Sequence, residues 1–182
     1  VPGCGAVCTD GAGSSGAPSS AAGVPPSLGA FALAVYPFLE LQPFHRAYYR
    51  VLEAFAAGRI RRLIVTMPPQ HGKSEGSTRR LPAYMLGRNP DNKIAVVSYS
   101  APKARKFNRE IQRIIDTPEY AEIFPETRLN SSNITTVAGA WLRNADECEI
   151  VGHRGGFKTV GVGGPLTGEP VDTLIMDDIY KD

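Results

Sequence analysis

The sequence predicts an α/β domain built on a mostly parallel sheet flanked by helices. Short apolar runs rich in β-branched residues, Arg62–Met67, Lys93–Tyr99 and Thr173–Met176, are too brief for helices and read as buried strands. Amphipathic stretches with helical spacing lie between them, clearest over Ala101–Ile115, where Phe107, Ile111, Ile114 and Ile115 recur on one side. Strands that alternate with helices pair most simply as a parallel sheet covered on both faces.

Taken in order, positions 1 to 28 are rich in Gly, Ala, Ser and Pro and hold almost no large apolar side chains. Such a segment buries too little surface to offset its ordering entropy, so it is expected to be a disordered tail, with positions 29 to 182 forming part of one domain. Regular structure is expected to begin near Gln42. Pro43 suits a first helical turn, and Phe44, Tyr48, Val51, Leu52 and Phe55 follow at helical spacing until Gly58. After the Arg62–Met67 strand comes a loop, Pro68–Gly72, and then a helix from Lys73 to about Leu86 that Pro82 is expected to kink. Asn89-Pro-Asp-Asn92 is a turn, Lys93–Tyr99 the second strand, and Glu119–Phe124 a short helix. Positions 133 to 162 alternate weakly and are broken by Gly, as in β-hairpins. The chain begins at Val1 and ends just after the last strand, and it is expected to be a fragment of a longer protein.

The chemistry sits at two strand ends. In Met67-Pro-Pro-Gln-His-Gly-Lys-Ser74, a strand leads through a loop into a helix. Backbone N–H groups and a helix N-terminus can there surround phosphates. Gly72 permits close backbone approach, Lys73 places an ammonium against the β- and γ-phosphates, and the Ser74 hydroxyl suits Mg²⁺. Met67 stands where such loops usually carry their first Gly. About a hundred residues later, Leu174-Ile-Met-Asp177-Asp178 is an apolar strand ending in paired acids. Asp177 is assigned to the metal, and Asp178 to orienting or deprotonating the attacking water. Together the two segments predict an ATP-binding P-loop with Walker A and Walker B elements, and hence a P-loop NTPase.

Charge is unevenly spread. From Arg59 to Arg113 there are 13 Lys or Arg against 3 acids, whereas from Ile114 to Asp182 there are 5 against 12. Lys103, Arg105, Lys106, Arg109 and Arg113 decorate the helix after Ser98-Tyr-Ser100, either as a DNA-backbone contact or as a solvated helix face. Cys4, Cys8 and Cys148 make no disulfide framework, and His45, His71 and His153 have no ligand spacing. A metal held by side chains alone is therefore not expected, and a reducing compartment is. No apolar run reaches the length of a membrane helix.

The run from Arg62 to Glu75 (RLIVTMPPQHGKSE) resembles the Walker A region of tailed-phage terminase large subunits. The likeness continues through Leu81–Gly87, Val96–Ser100, Tyr120–Pro125, Gly161–Gly168 and the closing LIMDDIYKD. It implies an ASCE, RecA-like P-loop ATPase core that drives double-stranded DNA into procapsids. In the full-length protein it also implies a coupling motif and a C-terminal nuclease domain beyond Asp182, a homo-oligomeric ring docked on the portal, a small terminase subunit as partner, and the host cytoplasm as setting. The implied cofactors are ATP and Mg²⁺. The implied nucleotide-binding set is Gln42, Pro69, Gln70, His71, Gly72, Lys73, Ser74 and Glu75. Lys73 and Asp178 are catalytic, and Ser74 and Asp177 hold Mg²⁺. Gln42 is expected to read the adenine edge, with Phe44 packed in the core or beside the base. Where such loops commonly carry an arginine, this one has Gln70 and His71, so Arg79, Arg80, Arg154 or a neighbouring subunit would supply it. The alternatives are a helicase-like DNA translocase and a prophage remnant that does not hydrolyse nucleotide.

Overall fold

Ile94, Val96 and Val97 give Lys93–Ser98 (β1) the side chains of a buried strand, and β1 is the centre of the sheet. The computed structural model describes residues 25–135, 139–166, 168 and 170–180. Gly156–Gly161 (β3) and Thr173–Asp177 (β4) pair in parallel with β1 on its two sides, and Glu147–Glu149 (β2) pairs antiparallel to β3. The strand order is β2-β3-β1-β4, so the four-stranded sheet is mixed rather than purely parallel. The antiparallel member comes from the weakly alternating region expected to form hairpins.

Register separates the two faces. Ile94, Phe157, Val96 and Ile175 share one core with Phe107 and Ile111 of Ala101–Ile115 (α4). The other face carries Leu174 and Met176, 46% and 61% exposed. Coverage on both faces, as the alternating pattern implied, is therefore not complete over β4: the described helix packed most closely on the strands is α4, on the core side.

Among the described residues, five α-helices accompany this sheet. Ser100 caps α4 by accepting from the Lys103 N–H, and Thr117 caps Pro118–Ile123 (α5) through the Tyr120 N–H. Pro43 starts Pro43–Ala56 (α2), which buries Tyr48, Tyr49 and Leu52 but leaves Val51 and Phe44 39% and 45% exposed. Core packing of Phe44, one of two expectations, is thus corrected. Leu28–Val35 (α1) lies where a tail was expected to give way to irregular chain. Ser27 caps it, and Leu28, Phe31 and Ala32 are fully buried. Phe31 joins Tyr84, Tyr120 and Phe124 in an aromatic cluster with centroid separations of 5.3 to 5.9 Å for the pairs Phe31–Tyr84, Phe31–Tyr120, Phe31–Phe124 and Tyr120–Phe124. Burying one such ring contributes about 1.5–3 kcal/mol, which offsets part of the cost of ordering this eight-residue helix of about two turns. The remainder of the expected tail, positions 1 to 24, lies outside the described residues.

Two further differences have physical causes. The Arg62–Met67 segment has no regular secondary structure and forms no ladder with any described strand. Leu63, Val65 and Met67 lean on the core while Ile64 is 91% exposed. An apolar run becomes a sheet strand only where a partner satisfies its N–H and C=O groups, and the run itself does not reveal whether one is present. After Ser74 the chain forms a π-helical turn, Glu75–Arg80, before Leu81–Arg88 (α3), with the Leu81 N–H reaching the Gly76 carbonyl. Pro82 brings no N–H and crowds the carbonyl four residues earlier, and a wider turn relieves both. The expected kink is therefore a change of helical pitch immediately before the proline.

Candidate functional site

The loop between Met67 and Ser74 is shaped residue by residue. Pro69 and Gln70 occupy the central positions of a turn closed by His71 N–H to Pro68 C=O at 3.4 Å, with Gln70 at φ 62°. Proline followed by a positive φ is the pattern of a type II turn. Gly72 has φ 78°, and a Cβ there would meet His45 Nε2 at 3.2 Å. Only glycine suits both the backbone and the imidazole.

Helix α2 clamps the loop from behind. His45 Nδ1 accepts the Gln42 N–H at 3.1 Å, so its Nε2 carries the proton and donates to the His71 carbonyl at 3.0 Å. Tyr48 Oη donates to the Lys73 carbonyl at 2.7 Å, and Ser77 Oγ donates to the same oxygen at 2.9 Å. These contacts turn carbonyls back toward the protein. The first N–H groups of a helix have no intrahelical acceptors, and here the earliest such bond is from the Gly76 N–H to the Gly72 carbonyl at 3.1 Å.

Across the site stand the acids that end β4. Asp177, 3% exposed, is the cross-strand neighbour of Ser98, and its Oδ2 has no hydrogen-bond partner among the described residues. Asp178 is turned out of the strand at φ 46°, where aspartate is tolerated better than most residues, and its carbonyl accepts the Tyr99 N–H at 3.1 Å. The Lys73 ammonium bridges both, 3.3 Å from Asp177 and 2.7 Å from Asp178. Hydrogen bonding to Asp178 holds Lys73 above the usual lysine range against the opposing effect of burial, with Asp177 assisting. The same bond holds Asp178 below the usual carboxylate range, with help from Lys103 at 3.3 Å. Two residues 105 positions apart in the chain thus meet in one charge pair.

The cleft between loop and acids is lined by Met67, Pro68, Pro69, Gln70, Gly72, Lys73, Ser74, Glu75, Arg79 and Asp178. Of the residues singled out in the sequence, His71 sits on the same loop, exposed, its Nδ1 donating to the Pro69 carbonyl at 2.8 Å. Gln42 begins α2 at the surface, and Phe44 stacks on His45 with a centroid distance of 4.0 Å and faces His71 at 5.9 Å. Glu75 pairs with both Arg79 and Arg80. The arginine candidates separate clearly. Arg79 borders the cleft, but its guanidinium is shared between Glu75 and Glu110 of α4. Arg80 is buried on Glu75 and under the Tyr36 ring. Arg154 donates its backbone N–H to Asp91 and lines a cleft at the Lys93 end of the sheet, opposite to the Ser98–Asp177 end. About five strand residues, on the order of 17 Å, separate those ends, so Arg154 is removed as a contributor to the site of its own chain.

The basic helix divides as well. Lys103 turns inward to Asp178 and Arg105 pairs with Asp146 at 2.7 Å, while Lys106, Arg109 and Arg113 are exposed. Sequence reasoning missed the inward lysine. It also missed His45 and Tyr48 as loop supports. The signal for Lys103 was its place in the first turn of α4, directly after the strand whose last residue neighbours Asp177.

A loop of donors and an ammonium facing two carboxylates can hold an anion and a cation side by side. The family model described as "Terminase large subunit, T4likevirus-type, N-terminal" matches residues 64–182, most of the described chain and every residue lining the cleft between loop and acids. The chain belongs to the terminase large-subunit family. Neither the curated proteins nor the solved structures hold a match to it. Terminase large subunits are ATPases that serve phage DNA packaging. In this terminase chain, no helix among the described residues is long and apolar enough to cross a membrane, and no three His, Cys, Asp or Glu side chains come together there.

Proposed function

We propose that this chain is the ATP-binding and hydrolysing portion of a phage packaging motor, on a P-loop NTPase core of the ASCE, RecA-like type. The observation that carries the reading is the Lys73 ammonium held between Asp177 and Asp178 at the carboxyl end of β4. Ligands of open α/β sheets bind at that end of the strands. Lys73 exchanges its carboxylate partners for the β- and γ-phosphates, and the N–H groups from Gly72 to Glu75 surround them.

Mg²⁺ fits the residues present. Asp177 offers a buried oxygen without a partner, and Ser74 starts the helical turn with its side chain unused for capping. A magnesium ion takes few protein ligands and completes its shell with water and phosphate, so one carboxylate and one hydroxyl suffice. When bound it would neutralise charge on the phosphates. Asp178, more exposed and turned out of the strand, orients the attacking water and accepts its proton. Gln42, Phe44 and His71 form the rim for the base. Double-stranded DNA meets the exposed Lys106, Arg109 and Arg113 through its backbone. The small subunit, the portal and a ring of copies are partners of the full-length protein in the host cytoplasm.

The test is calorimetric titration of the chain with Mg-ATP, together with phosphate release, for wild type and Lys73→Ala. Binding that disappears in the variant supports the reading. No binding by folded wild type, or equal binding by both, overturns it. Binding without phosphate release would leave a nucleotide-holding domain and remove the motor.

A further inference from the structure

We propose that Lys103 is a second γ-phosphate-binding cation, delivered to the site by the first turn of α4. This rests on the ATP reading given above.

The Asp178 carboxylate lies between two ammonium groups from different elements. Lys73 reaches Oδ1 at 2.7 Å and Lys103 reaches Oδ2 at 3.3 Å. Lys103 is not loosely placed there. Its ammonium lies 5.2 Å from the centre of the Tyr99 ring and 5.9 Å from that of Phe107, and its side chain is 31% exposed. It lines a cleft with Ser74, Arg79, Tyr99 and Ser100, and this cleft shares Ser74 and Arg79 with the one beneath the loop. The lysine therefore faces the same space as the loop from the α4 side.

Charge balance explains what it would do there. In the ligand-free site two ammoniums face two carboxylates. With Asp177 serving the metal and Asp178 the water, both ammoniums need another anion, and the terminal phosphate is the one beside Ser74. The neighbouring arginines are committed, Arg79 to Glu75 and Glu110 and Arg80 to Glu75 in the core, whereas Lys106 borders the same cleft but, unlike Lys103, makes no ion pair with Asp178. Lys103 thus takes the place that an arginine in the loop would fill, where Gln70 and His71 stand. It also leaves the DNA-facing set, which begins at Lys106.

The experiment uses the whole chain without DNA. Wild type, Lys103→Met, Lys103→Arg and Lys73→Ala are titrated with Mg²⁺ plus either a non-hydrolysable ATP analogue or ADP. Methionine keeps the stem over Tyr99 and Phe107 and removes only the charge. Lys103→Met is expected to weaken the ATP analogue about tenfold, the scale of a charge-assisted hydrogen bond, and ADP less than about twofold. Lys103→Arg is expected to retain most of the discrimination. Equal weakening of both nucleotides, or no change in either, overturns the role of Lys103 provided that wild type binds and Lys73→Ala does not. If folded wild type binds neither nucleotide, the ATP reading itself fails.

Discussion

Lys73→Ala is the usual control for a nucleotide site, and here it carries a cost in the ligand-free protein. Asp177 is 3% exposed, has an unpartnered Oδ2, and keeps Lys73 3.3 Å from its other oxygen. Removing one partner of a fully buried ion pair costs about 3–5 kcal/mol, because a charge stays behind without compensation. Lys73 is 28% exposed, so water enters the vacated space and the cost falls to about 2 kcal/mol, between the buried and the surface limits. The Asp178 arm adds little. Asp178 is 46% exposed and still has Lys103, so Asp178→Asn is expected to cost less than about 1 kcal/mol. Urea unfolding followed by circular dichroism measures both at unchanged m-value. For a chain of this size the Lys73→Ala loss corresponds to a melting shift of about 4–8 °C. Lys73→Ala/Asp177→Asn is expected to recover at least half of the loss, since it removes the stranded charge. A single variant within about 0.5 kcal/mol of wild type, or a double variant no better than the single, would refute the reasoning. Nucleotide binding by Lys73→Ala then has to be measured well below its own melting point.

Gly87→Ala sets two effects against each other. Alanine favours helix α3 by about 1 kcal/mol, but its Cβ would lie 2.3 Å from Phe124, whose ring is confined by Phe31, Tyr84 and Tyr120. Overpacking costs about 1–3 kcal/mol, so a net loss near 1 kcal/mol is expected on urea unfolding, and a gain would show that the ring moves freely. Stability is also expected to fall at alkaline pH. Burial pushes the Cys148 thiol up from 9.0 to about 12, so the unfolded chain ionises first and the native state loses stability from about pH 9 upward. Cys148 contributes at most about 1.4 kcal/mol per pH unit to that slope, with buried Tyr48, Tyr49, Tyr84 and Tyr120, also pushed up from 10.0, adding to it at higher pH, so Cys148→Ser should flatten the onset. An unchanged slope would assign the effect to other groups. At the acid side Asp178, held low by Lys73, keeps its pairing above the ordinary carboxylate range and loses it only as pH falls through its lowered value.

The legible parts of this fold were those whose signal is local. Lys93–Ser98, Ala101–Ile115 and Thr173–Asp177 follow from apolar period, a capping Ser100 and flanking turns, and their observed limits differ from expectation by no more than one residue. Helix α1 was hidden because Leu28, Phe31 and Ala32 follow a tract of small residues, and their burial depends on Tyr84, Tyr120 and Phe124 far along the chain. The Leu63–Met67 segment misled for the opposite reason: its composition fits a strand, but hydrogen-bond partners are a property of the rest of the molecule. In the site, residue type and spacing single out Lys73, Asp177 and Asp178 in the sequence, and the structure brings the Lys73 ammonium within 3.3 Å of Asp177 and 2.7 Å of Asp178. Lys103 was not singled out, because five basic residues on one helix look alike until the helix is rotated onto its sheet.

The pairing of Lys73 with Asp178 also has a clock in it. A ribosome adding about 5–20 residues per second needs roughly 5–20 s to make the intervening 105 residues. Throughout that interval the loop, its lysine and the adjoining helix exist without the carboxylates that hold them. An emerging chain therefore presents the Lys73 ammonium to solvent well before Asp177 and Asp178 exist to pair with it. The carboxylates reach the loop last during synthesis, so the order in which this charge pair forms on the ribosome can differ from the order in which it forms on refolding the finished chain.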